Sequence, residues 1–146
     1  MSTPAMDAAA MRWAVAAFDH HAALCGYAAV PESPPAGGGW RRLYLREAEP
    51  STLSAVGPES GPWASLGVEI PCPRGVLETR VGELLRAMAP YEVAIDPDAG
   101  ASHRGPEAVL RLALRLFVEG LHGHVFRDAV GNLAEAAKDA REALGI

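Results

Sequence analysis

Five histidines and two cysteines are the residues of this chain best suited to metal or nucleophilic chemistry. His20 and His21 follow Asp19 in "DHH", and His122 and His124 flank a glycine in "HGH". Imidazole and carboxylate donors of this kind make a zinc site if the first and last helices run side by side. The spacing argues for something plainer. HExxH is absent, no cysteine pair has metal-ligand spacing, and His122 and His124 point apart in either a helix or a strand. The plain reading puts His124 near the start of the last helix, His21 half-buried beside Trp13, and His20 in water. Cys25 and Cys72 are isolated, with neither a CxxC nor a neighbouring base, which is the pattern of buried thiols.

Two glycine-containing stretches invite a similar test. "DPDAG" (96–100) starts like a calcium loop but lacks the remaining ligands and the closing glutamate, so it reads as a turn. "AGGGW" (36–40) follows prolines and leads into a strand, whereas a phosphate cradle lies between a strand and a helix N-terminus. GxSxG is also missing. No catalytic residue, metal ligand or cofactor is therefore assigned, and the expectation is a protein that works without catalysis.

The elements that would position these residues come from a chain of 146 residues, 49% hydrophobic and 21% charged. That is the size and composition of one globular domain with a real core. A net charge of −5 argues against a general nucleic-acid binder, which needs a cationic face. The alanine-rich start has no basic leader and is interrupted by Asp7, Arg12, Asp19 and two histidines, and no apolar run reaches the ~20 residues of a membrane span. The expectation is a cytoplasmic protein with reduced thiols and no membrane partner.

Residues 4–26 read as a helix, with Ser2 and Thr3 as caps, Pro4 in the first turn and Gly26 as the stop. Met6, Ala10, Trp13, Ala17, His21 and Leu24 form its apolar stripe. "PESPPAGGGW" is a flexible loop over 31–39. "WRRLYLRE" alternates as a strand, with Leu43 and Leu45 on one face and Trp40, Arg42, Tyr44 and Arg46 on the other. A second flexible loop covers 50–62, with room for a short strand. "WASLGVEI" is another strand, with Leu66, Val68 and Ile70 on one face and Pro71 and Pro73 ending it. Residues 76–89 are a helix with Leu77, Val81, Leu84, Leu85 and Met88 in one stripe, closed by Pro90; Gly82 within it suggests a close packing contact. "YEVAI" is a strand, and 123–144 is a final helix lined by Phe126, Val130, Leu133, Ala137, Ala140 and Leu144.

"VLRLALRLFVEG" (109–120) decides the fold class. A helix has some support from Pro106 and from the i,i+4 pairs Glu107–Arg111 and Arg115–Glu119. That helix would leave Leu112 and Leu116 off its apolar stripe. Leucines at 110, 112, 114 and 116 fall on one face of a strand, which pairs with "YEVAI" as a hairpin. The strand reading prevails. It predicts an α+β fold with an antiparallel sheet of about 4–5 strands packed on helices, in the order helix, strands, helix, hairpin, helix.

That order, and the run "LLRAM…YEVAIDPDAG…VLRLALRLFVEGLHGHVFRDAVGNLAEAAKDA", resembles the YbjN and type III secretion chaperone-like group. The resemblance is strongest over 77–144. It implies a single chaperone-like α+β domain over 1–146 that forms a homodimer and binds a protein partner's extended segment, by strand addition or helix-in-groove contact. Under it, Trp13, Phe18, Trp40 and Tyr44 are the candidate partner-binding anchors. Leu84, Leu85 and Met88 are the candidate dimer seam. Packing inside one subunit is the other use for each of these side chains. Two further roles remain open: an acidic immunity or inhibitor protein that blocks a basic surface, and a small histidine-dependent metal-binding enzyme or sensor.

Overall fold

Alanine is the strongest helix former, and the alanine-rich start winds into α1 (Pro4–Leu24). The helix stops at Gly26, whose φ of +86° suits a residue without a Cβ. There follow β1 (Ala28–Val30), β2 (Trp40–Leu45), β3 (Thr52–Gly57), β4 (Trp63–Pro73), α2 (Arg74–Ala87), β5 (Glu92–Asp96), β6 (Glu107–Phe117) and α3 (Gly123–Leu144). The computed structural model describes residues 4–31, 39–47, 49, 51–58, 62–89, 91–96 and 107–146. The caps Ser2 and Thr3, most of the 31–39 loop, Pro90 and the turn from Pro97 lie outside the described residues.

The strands form one sheet in the order β1-β2-β3-β4-β6-β5, each pair antiparallel. The α+β class is therefore as expected, with six strands among the described residues instead of 4–5. Thr52–Gly57 is the short strand for which the 50–62 stretch left room, and the three-residue Ala28–Val30 is the strand beyond the expected number. Residues 107–117 are strand throughout, paired residue by residue with 63–73. Pro71 lies inside β4, which continues two residues further and ends at Pro73.

Register carries one apolar face across the sheet. Tyr44 pairs with Leu53, Leu53 with Val68, Val68 with Leu112 and Leu112 with Val93. Because side chains alternate along a strand, Trp40, Ala55, Leu66, Ile70 and Leu110 share this face. They join Phe18 of α1, Leu77 and Leu84 of α2, and Phe126 and Leu133 of α3 in one core. Phe18 touches Trp40 and Phe126, with ring centroids 5.3 and 5.8 Å away, so the first and last helices meet over the sheet.

Two helical stripes differ from their sequence reading. Among the described side chains of α1, which leave out Met6 and Ala10, Ala14, Phe18 and Ala22 are buried while Trp13 and Leu24 are exposed. The stripe is thus turned by one position from the expected one. In α2, Leu77, Leu84 and the following Met88 are buried, but Val81 and Leu85 are exposed. Gly82 faces open space instead of a close contact. In α3 all six expected stripe residues are buried.

Candidate functional site

An arginine on a strand's apolar face needs a carboxylate, since a buried unpaired charge is strongly unfavourable. Arg42 lies between Trp40 and Tyr44 on the face that meets α1, and Asp19 of α1 answers it. The guanidinium donates through Nε and Nη2 to the two Asp19 oxygens at 3.1 and 3.0 Å, and the Tyr44 hydroxyl donates to Asp19 Oδ1 at 2.6 Å. The carboxylate hydrogen bond holds the Arg42 pKa above its ordinary value. Burial, and then the hydrogen bond to Asp19, push the Tyr44 phenol well above its ordinary range. This bidentate clamp fixes the height of α1 over β2.

Beside the clamp, α1 and β2 enclose a groove of about 440 Å³. Met11, Val15, Ala16 and Trp40 give it apolar walls; Arg12, Arg41, Arg42 and Asp19 give it a charged rim. Arg41 also donates to both oxygens of Glu69, at 3.1 and 3.2 Å. A groove of this size, mostly apolar with a few oriented polar groups, can bind a side chain or short segment without further chemistry.

The candidate anchors fare differently. Phe18, Trp40 and Tyr44 are buried in the core, and only Trp40 borders the groove. Trp13 is 53% exposed on α1, outside the groove lining. Of the candidate seam residues, Leu84 and Met88 are core and Leu85 is exposed. Met11, Arg12, Val15 and the Asp19–Arg42 pair escaped the sequence reading. The signal for the pair was present: Arg42 alternates in phase with two large aromatics.

The histidines do converge. The end of α1 abuts the start of α3, where His21, Cys25, His124 and Arg127 line a cavity of about 170 Å³. His21 stacks on Phe126, two turns away from Trp13, with centroids 5.6 Å apart. His122 and His124 stack at 5.7 Å instead of pointing apart, because α3 begins between them. His21 Nδ1 is buried without a hydrogen-bond partner among the described residues. Among those residues no three His, Cys, Asp or Glu side chains are placed to hold a metal.

The sheet's other face has a different polar centre. Arg111 lies flat across it, donating from Nε to Ser54 Oγ at 2.8 Å and from Nη1 to Ser65 Oγ at 2.6 Å. Its Nη2 reaches the carbonyls of Ser54 and Ser65 at 3.3 and 3.2 Å, and Glu69 is 4.0 Å away. Burial lowers the Arg111 pKa, with Glu69 opposing the shift. Gly67 makes the room: a Cβ there would lie 2.9 Å from the Arg111 Cζ.

No helix among the described residues is long and apolar enough to cross a membrane. No family model and no curated protein matches the chain. A crystal structure of an uncharacterized protein from Methanothermobacter thermautotrophicus is similar to it, with a TM-score of 0.62 and 10% sequence identity over 90% of this chain and 96% of that one. At that identity the likeness is one of fold.

Proposed function

We propose that this chain is a non-enzymatic protein-binding domain of the chaperone or adaptor kind, acting as a homodimer and receiving a partner's segment in the groove between α1 and β2. The observation that carries the reading is the groove itself, apolar inside with Arg12, Arg41, Arg42 and Asp19 at its edge. Arg42 is committed to Asp19 and Arg41 to Glu69, so the groove favours an apolar side chain first, with a flanking carboxylate drawn by Arg12, the rim cation outside those two ion pairs. The resemblance in element order to the YbjN and type III secretion chaperone-like group supports the same reading.

Selection from a random peptide library displayed on phage tests it. The expected winners carry a large apolar residue beside Asp or Glu. Their binding weakens about tenfold or more, roughly 1.4 kcal/mol, in Val15→Glu, which places a charge in the groove while the circular dichroism spectrum stays unchanged. Equal recovery of peptides on the wild type and on Val15→Glu would overturn the groove as the binding site.

A further inference from the structure

We infer that the helix-free face of the sheet is where a second copy of this chain docks, centred on Trp63 and Phe117. This rests on the homodimeric part of the reading above and not on the groove. Helices α1, α2 and α3 pack on the Tyr44–Leu53–Val68–Leu112 face. On the opposite face the cross-strand neighbours Trp63 and Phe117 are 44% and 51% exposed, with ring centroids 4.0 Å apart. Beside them is a depression of about 390 Å³, bordered by Val56, Pro58, Trp63, Ser65, Glu92 and Arg115.

A two-fold contact uses the same patch on both partners, so the patch must be its own complement. This one carries a projection and a hollow side by side: a two-fold axis between them lets the aromatic pair of each copy enter the other's depression. Its charges are complementary too. Arg115 Nε donates to Glu92 Oε1 at 2.7 Å, so the same axis brings each copy's Arg115 to the other's Glu92. Arg41 and Arg111 are likewise set against Glu69, which leaves the face near neutral among its described side chains. Elsewhere two copies of a chain with net charge −5 repel one another. Tryptophan and arginine are also the residue types that dominate interface energetics. On α2, by contrast, Val81 and Leu85 are the exposed large apolar side chains available for a seam.

Sedimentation equilibrium over a concentration series decides the matter. The expected result is a reversible dimer whose dissociation constant rises about tenfold or more in Trp63→Ser and in Phe117→Ser. Both are exposed positions, and circular dichroism checks that the variants fold. Arg115→Glu and Glu92→Arg each weaken the dimer alone, and the two variants mixed together restore it, since both cross-contacts then join opposite charges. Leu85→Glu on α2 leaves it unchanged. A dimer that resists the Trp63, Phe117 and charge variants, or one that Leu85→Glu dissociates, overturns this face and keeps the homodimer. A monomer at every concentration overturns both.

Discussion

The two faces of the sheet solve the same problem with opposite means. The helix-covered face is held by apolar volume: Leu53, Leu66, Leu110 and Leu112 are almost wholly buried beneath three helices. The open face has no layer above it among the described residues, and it buries polar groups instead. Ser54 is fully buried there because Arg111 lies over it and satisfies both its hydroxyl and its carbonyl. An arginine in this role has a reason. Its long stem covers apolar surface while the planar head binds several acceptors at once. One face thus follows from the hydrophobic effect, and the other from hydrogen-bond satisfaction.

The largest expected effect belongs to the covered face. Leu112→Ala removes a fully buried side chain at the centre of the longest strand pair and is expected to cost about 2–5 kcal/mol in urea denaturation. Val56→Ala, on the open face and half-buried, is expected to cost less than about 1 kcal/mol. Similar losses at the two positions would mean that apolar volume holds both faces alike.

The open face is next. Gly67→Ala would place a Cβ 2.7 Å from the Leu112 carbonyl oxygen as well as against the Arg111 head. The oxygen belongs to backbone and cannot swing away, so a loss of about 1–3 kcal/mol is expected. Arg111→Met keeps much of the stem but leaves the Ser54 groups without their donor, for a loss of about 1–3 kcal/mol. The part of the Gly67→Ala loss that comes from displacing the Arg111 head is absent once Arg111 is gone, so the double variant should fall short of the sum. Additive losses would mean that Gly67 serves the backbone alone.

How well the sequence announced these features follows from how one-sided each element is. The leucine–arginine alternation in 109–117 is the imprint of a sheet covered on one face only, so it separated strand from helix. In α3 the apolar residues occupy one side and charges the other, and the stripe was legible. In α1 alanines surround the whole helix, so several stripes fit equally well, and the choice of Trp13 over Phe18 as an inward residue went wrong. The candidate site inherited that error: with α1 turned, Met11, Val15 and Asp19 came into view only once Arg42 and Tyr44 had been placed beside them. Thr52–Gly57 is legible only as room for a short strand because small residues dominate it, and the meeting of the histidines depends on helix packing that no local pattern encodes.

The smallest effect separates the two buried polar centres by pH. Arg111 keeps its proton throughout the accessible range, so the open face should be insensitive to alkali. Under α1 the phenol of Tyr44 holds its proton more tightly in the fold than in the unfolded chain, through burial and its bond to Asp19. Unfolding above pH ~10, the ordinary phenol value, therefore releases a proton. The Tyr44 contribution is complete below that pH and is lost as pH rises toward the folded-state value, at no more than about 1.4 kcal/mol per pH unit. Tyr27, raised by burial against the opposing charge of Arg46, adds the same sign. Tyr44→Phe is expected to be less stable than wild type at pH 7 by about 1.5 kcal/mol, the worth of a hydrogen bond to a carboxylate. Above pH ~10 it should lose stability more slowly, because the Tyr44 share of the slope is gone. Melting temperatures from pH 8 to 11.5 should therefore show the two proteins converging; parallel curves would mean that the Tyr44–Asp19 contact does not control the alkaline limit.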